Sequence, residues 1–255
     1  MGNEVTLQLT TLYAFMVVLA RISGALVFVP IPSLSGSPEP VRIALVLTLT
    51  LALYPVWPAL HATPGAGMLA GWLISEAAMG ITIGLVVAFL AEAFGLFGQM
   101  IALHTGHSFA STVDPTTQAD AGMFVVMAQS MAGLLFFATG MHRQIVRIFA
   151  RSLETQPPGS FAISGVTVDG IIRLSSTIFS TGLRLAFPVI GLLVMIDVSL
   201  ALLGRINSHL QLNSMAFPAK IVSALLILAT TAAVFPRVYQ DYAVRLFRAL
   251  PDLIR

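Results

Sequence analysis

Long apolar stretches constrain the fold of this chain more than any other feature. A helix that spans the hydrocarbon core of a bilayer needs about 20 consecutive apolar residues. Six stretches meet that requirement, and they run from about Leu9 to Pro30, Val41 to Leu60, Met68 to Leu103, Ala121 to Gly140, Ile178 to Leu203 and Met215 to Phe235. The third is too long for one perpendicular span, so we expect it to tilt, to break near Gly80 or Gly84, or to project beyond the bilayer.

The shortage of charged residues supports the same interpretation. Only 9% of the 255 residues are charged and 57% are hydrophobic, whereas a soluble domain carries about 25% charged residues. So few charges cannot hydrate the surface of a globule of this size, and most of that surface must face lipid or other protein subunits. The sequence therefore predicts an all-α membrane protein, with about six long hydrophobic helices or helical hairpins in a single integral domain over residues 1–255.

Basic residues are few, and many of them lie in one polar stretch, residues 141–176. Arg143, Arg147 and Arg151 recur every four residues, which places them on one helix face. We expect this face to lie at the level of the lipid headgroups. With six spans, the positive-inside rule places both termini and the 141–176 loop in the cytoplasm. The net charge of +2 indicates a membrane surface as partner and no nucleic acid, because the basic residues lie beside apolar runs.

Several ionisable residues stand inside the apolar stretches, where an unpaired charge costs several kcal/mol. They are Arg21, Glu76, Glu92, Arg184, Asp197 and Lys220. Glu76 and Glu92 are 16 residues apart, which is about 160° of helix rotation, so they face nearly opposite ways. A transporter often gathers such charges on one face. We therefore favour pairs that hold helices or subunits together, and a proton or ion path is the alternative.

Motifs that carry enzyme chemistry are weak. None of the five histidines has the zinc-hydrolase spacing with an intervening Glu, and cysteine is absent. Gly106-His107-Ser108 matches part of the Gly-x-Ser-Gly nucleophile motif of intramembrane serine proteases, but it lacks the second glycine and a positioned base. We predict that the protein is not an enzyme and has no catalytic residue, metal or cofactor, with an intramembrane hydrolase that uses Ser108 as an alternative.

A polar insert, residues 104–120, separates two strongly apolar stretches and contains no basic residue. Gly106 and the Asp114-Pro115 turn interrupt regular helix. Irregular backbone at membrane depth persists only when it is buried in protein or lines an aqueous cavity. The insert is therefore either a re-entrant loop that faces a conduit or a plain loop outside the membrane.

Four groups of motifs follow one another along nearly the whole chain, and together they are specific. They are Arg21-Ile-Ser-Gly24, Pro30 and Pro40-Val-Arg-Ile-Ala-Leu45; Gly80-Ile-Thr-Ile-Gly84, Gly98-Gln, Gly106 and Ser108-Phe-Ala-Ser-Thr-Val-Asp-Pro115; Phe136-Phe, Gly140-Met-His142, Ser152 and Pro157-Pro-Gly159; and Ala186-Phe-Pro188, Asp197, Arg205 and Phe217-Pro-Ala-Lys220. In these motifs the chain resembles the FliR family of flagellar biosynthetic proteins and its injectisome counterparts of the SctT type. The 108–115 motif looks more flagellar.

The resemblance implies a subunit of the export gate of a flagellar type III secretion system. Such a subunit combines FliP-like helices, here residues 1–140, with a basic loop and FliQ-like helices, here residues 141–255. With FliP-like and FliQ-like subunits it forms the closed pore through which unfolded flagellar proteins pass. The resemblance also implies FlhB-like and FlhA-like export components as partners, and a multi-pass location in the bacterial inner membrane at the flagellar basal body.

The family's plug loop, which closes the pore, falls on residues 104–121 here. The resemblance implies that Phe109 and Val113 are apolar stoppers, and that Gly106, Ser108 and the Asp114-Pro115 turn belong to the same plug. It assigns assembly roles to a further set of residues, which are Arg21, Arg42, Glu76, Pro188, Asp197, Arg205, Phe217, Pro218 and Lys220. A multi-pass secondary transporter and an injectisome gate subunit are the alternatives.

Overall fold

The architecture is entirely helical in the computed structural model, which describes residues 9–29, 39–60, 64–106, 122–206 and 212–254. Those residues form eight α-helices and a short 3-10 turn, Tyr54–Val56. The helices are α1 (Leu9–Leu26), α2 (Glu39–Ala52), α3 (Ala66–Thr105), α4 (Met123–Ala138), α5 (Met141–Thr155), α6 (Gly165–Ile206), α7 (Leu212–Thr231) and α8 (Phe235–Leu253). The prediction of an all-α membrane protein is confirmed.

The number of membrane spans differs from the six expected. Within the described residues, α1, α3 and α6 are long and apolar enough to cross a bilayer by themselves. The total rises to five if two bent pairs, α4 with α5 and α7 with α8, each count as one span. The expected second span, about Val41 to Leu60, is wrong because α2 has only 14 residues. Pro55 lacks a backbone N–H and lies in the 3-10 turn that follows α2.

Helix α3 is a single helix of 40 residues. Of the three alternatives for the overlong third stretch, a break near Gly80 or Gly84 is therefore wrong. Both glycines remain helical and lie against α1, where a side chain would have no room. A methyl group on Gly80 would come within 2.0 Å of the carbonyl oxygen of Arg21, and one on Gly84 within 2.3 Å of that of Ala25.

The chain divides into two compact units that interleave along the sequence. The first unit comprises Met1–Ala88, Phe136–Leu174 and Val244–Arg255, and the second comprises Phe89–Leu135 and Ser175–Ala243. Four helices, α3, α4, α6 and α8, contribute residues to both units. The predicted division into residues 1–140 and 141–255 concerns a likeness to other subunits and stays a prediction.

In the first unit, α1 packs on the N-terminal part of α3 through close backbone contact. Besides Gly80 and Gly84, Gly24 of α1 lies so near α3 that an added methyl group would sit 2.4 Å from the Ala77 carbonyl oxygen. Small residues on both helices permit this approach. The apolar residues Val17, Val18, Ile22 and Ala25 of α1 are at most 1% exposed. Helix α2 of the same unit has a single buried residue, Thr50.

Helix α5, also in the first unit, is amphipathic. Met141, Ile145 and Phe149 are buried, while Arg143, Arg147 and Arg151 are exposed. The prediction that these three arginines share one helix face is confirmed. The expectation of a long loop from 141 to 176 is wrong, since α5 and the first part of α6 occupy most of it.

Aromatic packing forms the core of the second unit. Phe94 and Phe97 of α3 contact Phe235 of α8, with ring centroids 6.4 and 5.6 Å apart respectively. Tyr239 of α8 lies 5.4 Å from Phe94 by the same measure. These tilted and edge-on arrangements are the ones that aromatic pairs prefer. They fix the C-terminal half of α3 in the second unit. The predicted plug segment follows directly after this half of the helix.

Candidate functional site

A buried ion pair joins α1 to α3 in the first unit. The Arg21 Nε–H donates to Glu76 Oε2 over 2.5 Å, and the two side chains are 1% and 0% exposed. Burying two charges costs several kcal/mol for each ion, and their attraction offsets that cost only when the remaining polar atoms also find partners. The neighbours of this pair therefore determine what it contributes.

Two further hydrogen bonds complete the pair. Arg21 Nη1 donates to the Ser152 hydroxyl of α5 over 3.0 Å, and the Gly159 backbone N–H donates to Glu76 Oε1 over 3.2 Å. The Ser152 hydroxyl in turn donates to the Phe149 carbonyl oxygen over 2.8 Å. We call Arg21, Glu76, Ser152 and Gly159 the buried network. It links α1, α3, α5 and the turn after α5, and both oxygens of the Glu76 carboxylate have a partner.

The turn at Gly159 requires glycine. Its φ of +76° lies in the left-handed region, which is unfavourable for other residues. An added methyl group would also lie 2.1 Å from Cδ1 of Trp72. The close approach of this turn to α3 lets its N–H reach Glu76, and Ser75 of α3 donates to the Phe161 carbonyl oxygen just beyond.

Sequence reasoning identified Arg21 and Glu76 but assigned no role to Ser152 or Gly159. Both belong to the matched motifs of the third group, Ser152 and Pro157-Pro-Gly159. That placement is the signal that pointed to them. It gave no partner, because Ser152 is 131 residues from Arg21 and Gly159 is 83 residues from Glu76.

A second ion pair lies in the second unit, between Asp197 of α6 and Lys220 of α7. It is more open than the first, since Lys220 is 17% and Asp197 46% exposed. The Lys220 ammonium also reaches the His104 carbonyl oxygen at 3.5 Å. This carbonyl lies in the last turn of α3, where a cation interacts favourably with the helix dipole. The structure thus brings together Asp197, Lys220 and the end of α3.

Gly106 terminates α3 at the start of the predicted plug. Its φ is +83°, and its N–H donates to the Leu103 carbonyl oxygen over 3.3 Å. A left-handed glycine immediately after the last turn is a common way to end a helix. Ser108, Phe109, Val113, Asp114 and Pro115 lie outside the described residues, and their assignment to a plug stays a prediction.

The other expected assembly residues do not join either ion pair. Arg42 is exposed near the start of α2, and Arg205 is exposed in the last turn of α6. Pro188 and Pro218 are exposed inside α6 and α7. Phe217 belongs to α7, and its side chain is outside the described part of the chain.

The two remaining charges of the apolar stretches point outward. Glu92 of α3 and Arg184 of α6 are exposed, whereas Glu76 on the same helix as Glu92 is fully buried. This contrast agrees with the nearly opposite directions expected from their spacing. Among the described residues, no group of three His, Asp or Glu side chains is placed to hold a metal ion.

Comparison with known proteins gives a consistent result over nearly the full length. Residues 12–246 match the family model described as bacterial export proteins, family 1. The chain is 27% identical to the flagellar biosynthetic protein FliR of Escherichia coli, over 93% of this chain and 89% of that protein. It is 28% identical to FliR of Pectobacterium carotovorum, over 95% and 91% of the two chains. For FliR of Bacillus subtilis the identity is 23%, over 87% of each chain.

Proposed function

The chain belongs to family 1 of the bacterial export proteins together with the FliR proteins, and from this premise we propose that it completes the closed pore of a flagellar export gate. It is a membrane protein and a component of a flagellar protein-export apparatus. The finer proposal is that it assembles in the bacterial inner membrane with FliP-like and FliQ-like subunits. Unfolded flagellar proteins would cross that assembly, supplied through FlhB-like and FlhA-like components.

The observation that carries the proposal is the match of residues 12–246 to the export family. The exposed apolar surface supports it. In the most apolar window of α6 only 22% of the residues are buried. Phe187, Met195 and Ile206 of this helix are 65%, 70% and 83% exposed. Apolar surface of this extent has to face lipid or companion subunits.

The ion pairs support an assembly role over ion transport. Arg21 and Glu76 are at most 1% exposed, and each makes further hydrogen bonds. A proton path needs a group that exchanges protons with water, and neither partner of this pair reaches solvent. We propose that the buried network holds the first unit in the shape that companion subunits recognise.

The plug proposal rests on where α3 ends. Gly106 stops the helix, and Lys220 with Asp197 lies beside the last turn. These contacts provide a fixed point for the segment 107–121. Because that segment is rich in small polar residues, it can withdraw at low cost. Phe109 and Val113 would supply the apolar contacts that seal the closed pore against water and ions.

Secretion assays in the chain's own host test the proposed role. Deleting the gene should stop release of flagellar subunits into the medium, and the wild-type chain should restore it. Ser108→Ala should restore secretion equally well, because the proposal gives this hydroxyl no chemical role. Normal secretion in the deletion strain would contradict the export role. Loss of secretion with Ser108→Ala at normal abundance would favour the hydrolase alternative.

A further inference from the structure

A groove of about 420 Å³ runs between α5 and α8 in the first unit. Its volume lies within the range of about 300–1,000 Å³ that is typical of small-molecule sites. Its apolar part includes Ile148 of α5, Phe247 and Leu250 of α8, and Ile254, which directly follows α8. Two arginines also line it, Arg151 of α5 and Arg248 of α8, and both are exposed.

The charge of the groove is one-sided. None of the described residues that line it is acidic. The nearest carboxylates along the two helices, Glu154 and Asp252, are exposed and are not among the lining residues. Arg143 and Arg147 extend the basic face of α5 beyond the groove. The groove thus combines an apolar floor with two guanidinium groups.

This combination matches the chemistry of an anionic phospholipid. Guanidinium groups bind phosphate oxygens through paired, charge-assisted hydrogen bonds. Basic pockets between the helices of membrane proteins hold acidic lipid headgroups for this reason. An acyl chain requires an apolar channel beside the headgroup site, which Phe247, Leu250 and Ile254 provide. A free phosphate ion would leave that floor unused.

We propose that the groove between α5 and α8 binds one anionic phospholipid, with its phosphate at Arg151 and Arg248 and an acyl chain along the apolar floor. The site goes beyond the proposed function, since neither pore closure nor protein export requires a bound lipid. It gives the first unit a specific contact with lipid beside the basic face of α5.

Native mass spectrometry of the full-length chain, purified with its co-expressed partners in mild detergent, tests the proposal. We expect the wild-type complex to retain phosphatidylglycerol at least about tenfold more tightly than phosphatidylcholine. The double variant Arg151→Gln/Arg248→Gln should reduce phosphatidylglycerol affinity at least about tenfold. The matched control Arg143→Gln/Arg237→Gln removes the same charge from the same two helices outside the groove, and should change it less than about twofold.

Equal losses in the two double variants would overturn the proposal, because they would indicate a general attraction of basic protein to acidic lipid. Equal retention of the two lipids by the wild-type complex would do so as well. Millimolar inorganic phosphate should not displace the lipid, and displacement would show a simple phosphate site. Displacement by an acidic amphipathic peptide that the double variant does not bind would identify a protein segment as the occupant.

A second measurement uses only the wild-type complex, so it does not depend on how the variants fold. A phosphatidylglycerol with a photoreactive group in its acyl chain should crosslink to the peptides 141–156 and 244–254 of this chain. Crosslinks in this chain that fall only elsewhere would overturn the assignment to this groove.

Discussion

Arg21 and Glu76 are the least exposed charged residues in the described part of the chain, with side chains 1% and 0% exposed. Their pairing follows from the cost of placing either charge alone among apolar helices. Each partner is also tied to α5 or to the turn after it, through Ser152 and Gly159. The network therefore fixes which faces of α1, α3 and α5 meet.

Removing one partner should be more harmful than removing both charges. Arg21→Met leaves the Glu76 carboxylate buried without its counter-charge, and we expect a loss of about 3–5 kcal/mol. Adding Glu76→Gln removes the orphaned charge and keeps a carbonyl oxygen for the Gly159 N–H. We expect the double variant to recover part of the lost stability, as measured by thermal unfolding of the purified complex and by abundance in membranes.

The control for this prediction is Glu154→Gln, which removes an exposed carboxylate from α5 and should change the unfolding temperature little. A double variant as unstable as Arg21→Met, or less stable, would contradict the claim that the unpaired Glu76 carboxylate causes the loss.

For individual residues, the sequence marked the charges that lie in apolar stretches, but it predicted neither which of them are buried nor which partner each takes. Arg21 and Glu76 stood out because they lie in apolar stretches. They are 55 residues apart, and helix periodicity alone gives no information about contacts between distant helices. Glu92 and Arg184 show the same limit, because the pattern that marked Glu76 also marked them, yet both are exposed.

Among the secondary-structure elements, the contact of α1 with α3 is determined by glycine. The motif Gly80-Ile-Thr-Ile-Gly84 has small residues four apart, and both glycines touch the α1 backbone. The motif Gly67–Gly71 has the same spacing, but nothing lies within 4 Å of an added methyl group at either position. The two motifs have the same spacing, so only the packed structure distinguishes them.

These two motifs give a matched pair of variants. Gly80→Ala places a methyl group 2.0 Å from the Arg21 carbonyl oxygen, and forcing α1 away should cost about 1–3 kcal/mol or more. Gly71→Ala meets open space and should be neutral or stabilising by up to about 1 kcal/mol, since alanine favours helix. Thermal unfolding of the purified complex measures both. Equal effects would contradict the close helix contact.

Sequence predicted the long apolar elements well and the amphipathic ones poorly. The third stretch, about Met68 to Leu103, corresponds closely to α3 (Ala66–Thr105). The polar region 141–176 was expected to be a loop, because overall hydropathy does not detect a helix with one buried face. Periodicity did detect α5, since Arg143, Arg147 and Arg151 mark its exposed side. The shortness of α2 was missed because the apolar run continues to about Leu60, whereas the helix ends before Pro55.

The segment after α3 gives a prediction about pore closure. Deleting residues 106–121, and joining the flanks with a short Gly-Ser linker, should leave assembly intact and make cells leak ions. The leak should appear as a loss of membrane potential only when the FliP-like and FliQ-like subunits are present.

An assembled complex that stays ion-tight without residues 106–121 would contradict the plug assignment. The plug roles of Ser108, Phe109, Val113, Asp114 and Pro115 were predicted from the family resemblance, whereas the residues themselves predicted only a re-entrant loop or a plain loop. Gly106 is the one predicted plug residue that lies within the described residues, and its φ of +83° ends α3.

In the part of the chain that the structure describes, every α-helix exposes at least one large apolar side chain. Composition predicted this, because 9% charged residues cannot cover a chain of 255 residues. Within the described residues the candidate spans number three to five, against the six expected, because α2 is short and two pairs of helices bend at short breaks. Hydropathy sums measure how apolar a stretch is, and they do not separate a surface that contacts lipid from one that contacts another subunit.

The state of the purified particle tests most directly the claim that companion subunits cover this surface. The chain would be purified in one mild detergent, either expressed alone or co-expressed with the FliP-like and FliQ-like subunits of its own host, and its mass measured by native mass spectrometry. We expect aggregation or degradation of the chain alone, and a single monodisperse particle containing all three proteins on co-expression. A stable, monodisperse chain that is purified alone and retains neither subunit on co-expression would contradict this claim.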